Sequence, residues 1–594
     1  MFLSFVNKWL LCSSNSHPFC LNNVFPFILQ WWIIIAMAGV FIDCFLLIFK
    51  KPLGFNQKIT KRAWLILGVF MFLFLIVNLN FNSFRAADEE WASIYRAKTM
   101  LDGNKRVYVQ DNSGIVFPLL VAGLLKISHF YIPLIRIFNI FLGTISLFLI
   151  FECAYLIFDN EKASLLSVFV YVLTPWTYRY TGILFGLPTL VHFLSLLSLL
   201  AILLAFKYHK LYLHILSLTS LLVLNQTKLE YFPYYLIYLI VFFIIKEYKR
   251  FKKKEIVVFM VIAFVCLIPA VLKSALFKIS YLANPGWCGV GAQTIENYSY
   301  GAIITKIDNF LQDLVNRRIK LSYLVGDLSH FLKFWSQPTL ILPMIISIIG
   351  VCLAFKKHSR KKLFLCFPIL FFLSLTIGYL LDCGWYEARH AISTYGLLTI
   401  FSGYCLWWLL SKTNLIKTGK ILTYSVLIFL LSTQLVICLR DLKNLQDDIK
   451  MFPYEYQSYY FYKKLMKDIS NQSAIFITLD NNSKHILRLL GYQTKSFNDY
   501  INSNDAAINY KETINYFFSS EILNFRNKVY FIKSPVCEDW NFFMTFCNRA
   551  QKESKKMLKE IYIKGGDSKI QLFILKDDEF YEPLFDGSSE FILD

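Results

Sequence analysis

Charge is what this sequence has least of, and acid is scarcer than base. Only 17% of its 594 residues are charged, with 40 Asp and Glu against 61 Lys and Arg and a formal net charge of +21. So little charge beside 56% hydrophobic and 18% aromatic residues excludes an ordinary soluble domain. There is no Cys-x-x-Cys spacing and no clustered histidine, which argues against a zinc centre. No internal repeat is visible, which argues against a transporter built from inverted halves. The opening "MFLSFVNKWLLCSSNSHPFCLNN" has a short apolar stretch and a weak basic region, so a cleaved signal peptide is not expected.

What the sequence does have is apolar runs. Windows of about 17–25 residues predict spans near 26–49, 63–81, 134–158, 163–181, 184–206 and 211–226. Six more follow near 230–246, 255–274, 338–355, 363–381, 391–410 and 421–438. The sixth and seventh are short and read as a bent pair. The lysines cluster between spans, as the positive-inside rule expects of cytoplasmic loops, so the basic balance points to topology and not to nucleic acid. One alternating path puts "KKPLGFNQKITKR", "KEYKRFKKK", "KKHSRKK" and "SKTNLIKTGK" all on the cytoplasmic side. Binding of anionic lipid headgroups by these loops is the lesser reading.

The same path puts loop 82–133, loop 275–337, loop 382–390 and tail 439–594 on the outer face. In the tail, "AIFITLD", "KVYFIKS" and "KIQLFILK" read as strands and "NSKHILRLLGY" as a helix. The expectation is a polytopic α-helical membrane protein of about twelve spans with a small C-terminal extracytoplasmic α/β domain. Its parts would be 1–62, an extra span and a basic loop; 63–438, the main membrane domain; and 439–594, the soluble domain. Of 13 cysteines, those in spans read as packing, while Cys12, Cys20, Cys288, Cys383, Cys537 and Cys547 fall outside, where disulfides are allowed. Cys537 with Cys547, and Cys288 with Cys383, are the pairs considered.

Directly after the second span comes "NFNSFRAADEEWASIYRAKTM". Acids favour the first turn of a helix, where unpaired N–H groups and the macrodipole attract them. Helical spacing also puts Asp88, Trp91, Ala92 and Tyr95 on one face and turns Glu89 and Glu90 away. A carboxylate held there, at the edge of the apolar layer, is placed to take a proton from a hydroxyl. One base suffices for a direct displacement. Cations share that face of the membrane: Arg136, Arg179, Lys228 and the Arg389–His390 pair. Each has a plainer reading, snorkelling for Arg136 and Arg179 and pairing with Glu230 or Glu387 for Lys228 and Arg389. Together they suit a lipid phosphate held by charge-assisted hydrogen bonds.

The order of these pieces resembles the GT-C membrane glycosyltransferases, the superfamily of the dolichyl-phosphate-mannose protein mannosyltransferases and the aminoarabinose-to-lipid-A transferase. The matching stretches are "ADEEWASIYRAKTMLDG", "GIVFPLLVAGLLKIS", "IRIFNIFLGTISLFLIFECAYLIFDNEKASLLSVFVYVLTPWTYRYTG", "NQTKLEYFPYYLI" and "YEARHAI", over about residues 63–410. The resemblance implies a GT-C-like fold and transfer of a sugar from a polyprenyl-phosphate carrier to a hydroxyl acceptor on the outer face. The acceptor would be lipid A, a surface glycan or a protein. Asp88 falls where the family keeps its catalytic acid, with Glu89 beside it. Arg389 falls near the family's late arginine for the lipid phosphate, with His390 next to it; Lys228 and Arg136 match less closely. The chain departs from the family in having no acid after the threonine–proline of "TPWTYRYTGILFGLPTL".

No cofactor is required by this reading, although the Asp-Glu-Glu run could hold a divalent metal. Beyond the donor and acceptor, the expected partners are membrane lipids. The abundance of Asn, Lys, Ile and Phe suits an AT-rich bacterial genome, hence a bacterial cytoplasmic membrane with the active face extracytoplasmic. Two other classes compete. A flippase for a lipid-linked glycan would keep its ionisable residues near the bilayer midplane, and these spans carry few. A structural subunit of an envelope assembly would leave the acidic run unexplained.

Overall fold

The computed structural model describes residues 34, 36–39, 59–81, 88–102, 116–183, 187–228, 231–277, 333, 335–337, 339–357, 362–381, 388–412, 417–451, 453–467, 469, 474–479, 481–496, 528–538, 541–563, 569–576 and 589–591. Most of the expected first span at 26–49, most of loop 275–337, and cysteines 12, 20, 288 and 383 lie outside the described residues. For Asp88, Glu89, Arg389 and His390 the backbone is described but the side chain is not.

The helices follow the apolar runs. In chain order they are α1 (Lys61–Asn80), α2 (Asp88–Leu101), α3 (Val116–Ile127), α4 (Pro133–Phe158), α5 (Glu161–Val172), α6 (Leu187–Tyr208), α7 (Leu211–Thr227) and α8 (Phe232–Ile244). Then come α9 (Lys253–Phe277), α10 (Ile341–Lys357), α11 (Lys362–Leu381), α12 (Ala388–Lys412) and α13 (Lys417–Met451). Among the described residues α1, α4 and α6 are long and apolar enough to cross a membrane, and α3, α7 and α8 are shorter apolar helices. The α6 helix is buried all round, as a helix apolar on every face should be. The α1 helix buries only the stripe of Ala63, Leu67, Phe74 and Asn78 and turns Leu65 and Phe72 outward.

One expected span is broken. The run 163–181 is helical only as α5, about 18 Å long and short of the ~30 Å apolar core of a bilayer. The cause is Pro175, which lacks an N–H and forces Thr174 into an extended conformation (φ −100°, ψ 114°). A short helical turn, Pro175–Tyr178, and a π-helical turn, Arg179–Ile183, follow before α6 begins. The last span differs in the other direction, because α13 runs unbroken from Lys417 to Met451, well past residue 438.

Helix α12 packs against both α5 and α10. The approach to α5 is close because residue 403 is glycine: a Cβ there would lie 2.2 Å from the Ser167 nitrogen. Ser167 Oγ donates to Ile400 O at 3.1 Å, and Ser347 Oγ of α10 donates to Leu398 O at 3.0 Å. Small residues and hydroxyls are what bring helices together where every surface is apolar.

The helix ends sort into two layers. At one, Thr60 N and Oγ1 both donate to Glu161 at 2.7 Å, and Lys207 reaches Asp159 at 3.7 Å. His209 Nδ1 contacts buried Glu247, and Lys357 lies 4.8 Å over the Trp407 ring. At the other are the C-terminus of α1, the N-termini of α4, α6 and α12, and the turns of residues 174–183. Of the basic runs, the described Lys61, Arg62, Lys356 and Lys357 and the stretch 246–254 belong to the first layer.

Beyond α13 come α14 (Pro453–Leu465), α15 (Asn481–Leu489) and α16 (Asn541–Glu553). They flank a six-stranded sheet of β1 (Ala474–Thr478), β2 (Gln493–Ser496), β3 (Lys528–Lys533), β4 (Lys556–Ile563), β5 (Lys569–Lys576) and β6 (Ser589–Phe591). The order is β2-β1-β3-β5-β4-β6, with β1 parallel to β2 and β3 and with β5 antiparallel to β3 and β4. The three adjacent central strands β1, β3 and β5 are the three expected runs, nearly continuous in apolar residues, as strands covered on both faces must be. A disulfide joins Cys537 to Cys547.

Candidate active site

The acid-bearing helix α2 starts at Asp88, so the carboxylate position is in the first helical turn. Its Trp91 side chain is 1% exposed and stacks on Tyr459 of α14 at 6.0 Å, with 18° between the rings. One turn on, Tyr95 faces the His485 ring at 6.4 Å. One turn further, Lys98 Nζ donates to Leu489 O at 2.6 Å. The other flank of α2 packs on α3. The acidic loop is thus sandwiched between a membrane-proximal helix and the tail.

The segment 174–183 is the hub of the second layer. Asn139 Nδ2 donates to Thr181 O at 3.0 Å and Thr189 Oγ1 to Tyr180 O at 2.9 Å. Arg136 donates to Gly182 O at 3.2 Å, to Asn78 O at 2.9 Å and also to Phe81 O. The guanidinium thereby ties the end of α1 to the π-helical turn, and its burial is matched by backbone carbonyls. Burial, then Tyr131, push the Tyr460 phenol above its ordinary pKa, and Arg136 pulls it back. Adjacent residues of α14 therefore face the hub and the acid helix: Tyr460 towards Arg136, Tyr459 against Trp91.

The other side of the hub holds α12. Tyr395 OH and Thr174 Oγ1 lie 2.6 Å apart, both buried. Arg389 is six residues earlier in the same helix, about 9 Å along its axis. Asp88 follows Phe81 by seven residues, no more than about 25 Å of chain. So Phe81, which precedes the Asp88 helix in the chain, and α12, which carries Arg389, are each tied to one ten-residue segment, through Arg136–Gly182 and Thr174–Tyr395.

Lys228 caps the end of α7, half-buried, its N–H donating to Leu224 O at 3.0 Å. Helix α7 contacts α3, which in turn packs on α2. Arg179 stands out on the hub without having ranked among the first site residues. Its guanidinium carbon lies 4.8 Å over the Trp176 ring, and Trp176 Nε1 donates to Gln337 Oε1 at 3.1 Å. Burial raises the Asp441 pKa, and Arg179 and Arg440 offset part of the rise. Among the described residues no group of three metal-ligating side chains occurs. The Asp88–Glu90 side chains are outside that set.

Sequence reasoning missed Tyr459, Tyr460 and Lys98. Positions 88, 91, 95 and 98 do form one helical stripe, and that spacing was the available signal for Lys98. For the tyrosines there was none.

No protein-family model matches the sequence, and no curated protein matches it. Solved structures do. The archaeal oligosaccharyltransferase AglB from Archaeoglobus fulgidus, in complex with an inhibitory peptide and a dolichol-phosphate, superposes with a TM-score of 0.51. That match covers 88% of this chain and 75% of AglB at 10% identity. ArnT from Cupriavidus metallidurans bound to undecaprenyl phosphate gives 0.53 over 88% of this chain and 100% of ArnT, at 11% identity. Its apo state gives 0.53 over 87% and 99%. At such identities the likeness speaks for the fold alone, and that fold is shared with AglB and ArnT.

Proposed function

We propose that this protein transfers a sugar from a polyprenyl-phosphate carrier to a hydroxyl acceptor at the outer face of a bacterial cytoplasmic membrane. What supports the reading is that Phe81, seven residues before Asp88, and α12, which carries Arg389, are both tied to the segment 174–183, in a fold shared with proteins solved with undecaprenyl phosphate and dolichol-phosphate. The basic layer faces the cytoplasm, following the positive-inside rule. The acceptor is a lipid, a glycan or a protein.

In this mechanism Asp88 accepts the proton of the acceptor hydroxyl, with Glu89 beside it maintaining the negative field. The hydroxyl oxygen forms the new bond to the anomeric carbon. The bond from that carbon to the phosphate oxygen breaks, and its electron pair leaves with the lipid phosphate. Arg389, His390 and Lys228 stabilise the charge gathering there, the role that fixed donors play best in a dry site. Arg136 serves this reading from behind, by holding the hub. A single displacement inverts the anomeric configuration.

Asp88→Asn tests the proposal. The variant should insert and fold as wild type, and the sugar that mass spectrometry shows missing from envelope glycolipids and glycans of cells lacking the protein should stay missing. Restoration of that sugar by Asp88→Asn would remove Asp88 from the mechanism. An envelope unchanged by loss of the protein would remove the transferase reading.

A further inference from the structure

The tail touches the acid helix along a single line. Trp91, Tyr95 and Lys98 contact Tyr459, His485 and Leu489 respectively. Their spacing, i, i+4, i+7, is one stripe of an α-helix, and position 88 is the next point on that stripe towards the N-terminus. These contacts with the tail and the position of the candidate base therefore share one side of α2, opposite the flank that packs on α3. Any rotation of α2 about its axis would break these contacts and swing position 88.

Of the three, the Lys98 contact is the directional one. Leu489 is the last residue of α15, where carbonyls lack helical partners and the macrodipole is negative. An ammonium donating to that carbonyl at 2.6 Å is a charge-assisted cap contributed by another part of the chain. The aromatic pairs, by contrast, leave room for sliding.

Helix α15 is a rigid support. Arg488 Nε donates to Thr494 Oγ1 at 2.8 Å, fixing α15 to β2. Tyr492 OH donates to Met466 O and to Ile469 O, both at 2.9 Å, fixing the end of α15 to the segment after α14. The chain of contacts runs from the sheet through α15 and Lys98 to the helix of Asp88.

We infer that Lys98 is a positioning residue: by capping α15 it sets the rotation of α2, so that the tail aims the base at residue 88. This rests on the transferase reading. It makes the tail part of the catalytic apparatus, and it predicts that the tail acts on turnover and not on binding of the lipid phosphate.

The test uses the full chain in lipid nanodiscs, with Lys98→Met, which keeps the length of the stem, and Lys98→Arg, which keeps the cation. Transfer is followed with the donor identified from the envelope comparison, and undecaprenyl phosphate is the binding probe. Lys98→Met should slow turnover by about ten- to a hundredfold, the cost of a displacement on the order of 1 Å. Affinity for undecaprenyl phosphate should change by less than about twofold, since tenfold would correspond to 1.4 kcal/mol of lost contact. Amide exchange across residues 88–101 should quicken, and Lys98→Arg should restore both rate and protection. Wild-type turnover in Lys98→Met, failure of Lys98→Arg to rescue, or weakened lipid-phosphate binding would overturn the inference while leaving the transferase reading in place. Absence of transfer by the wild-type protein would overturn that reading and the positioning role with it.

Discussion

Arg136 Nε donates to the carbonyl of Gly182 at 3.2 Å, across a separation of 46 residues, and the same guanidinium reaches the last carbonyls of α1. A charged side chain at the rim of the apolar layer is thus occupied by the backbone. It converts a broken span into a fixed platform for the site.

Arg136→Met should therefore act first on stability. It strips donors from the carbonyls of Asn78, Phe81 and Gly182, and each buried unsatisfied acceptor costs about 1–3 kcal/mol. A drop of several degrees in the thermal midpoint is expected, read by dye binding to the purified protein. An unchanged midpoint together with poorer lipid-phosphate binding would move Arg136 from the platform to the ligand.

Gly182 is a glycine because nothing larger fits. A Cβ there would lie 2.5 Å from Asn78 Oδ1 and 2.9 Å from Phe81 Cδ2. Gly182→Ala should lower folded yield, in line with the ~1–3 kcal/mol cost of overpacking. Asn78→Ala in the same chain should recover part of the loss by removing the colliding oxygen. If the double variant is as unstable as the sum of the singles, the two residues are not in contact.

The Cys537–Cys547 bond carries the sidedness of the tail. Disulfides persist outside the reducing cytosol. Trapping with an alkylating agent before reduction should leave these two cysteines unmodified in protein taken directly from cells. Buried Cys153 is expected to alkylate only after denaturation. Prompt alkylation of Cys537 and Cys547 would place the tail in the cytoplasm and reverse the topology.

Glu560 supplies a pH signature. Burial pushes its carboxyl up, but hydrogen bonds from Tyr562, Gln571 and Lys569 outweigh that and hold the pKa below its ordinary value. A carboxylate depressed on folding adds stability above its unfolded pKa and loses it as pH falls through the folded one. Glu560→Gln should therefore lower the stability of the tail at neutral pH. The gap to wild type should narrow as pH falls below the ordinary carboxylate range and close once the folded carboxyl is protonated and both side chains are uncharged. A gap of constant size across that range would mean that the charge plays no part.

Several elements were readable directly from the residues. The α1 and α4 helices lie within a few residues of their expected spans, because apolar runs with Thr60 or Pro133 at the start state their own limits. β5 matched its run residue for residue, 569–576. Asp88 as the start of a helix was legible from its acidic neighbours and the following period. The break at Pro175 was signalled by the proline itself, yet the apolar residues after it resembled a continuing span. Strands β2, β4 and β6 were not visible, since "QTKS", "KMLKEIYI" and "SEF" gain their strand geometry only from the neighbours they pair with.

Length, hydropathy and the placement of lysines by themselves pointed to a membrane protein and to the helices that its apolar runs form, because transfer of apolar surface out of water is a property of local composition. Only the tertiary structure decided what those residues touch. It gave Arg136 to the backbone of the hub, tied α12 to the same segment through Tyr395, and pressed the tail against the acid helix through Trp91 and Lys98. Those choices depend on carbonyls and rings from 46 to 391 residues away in the chain, and packing alone brings such partners together.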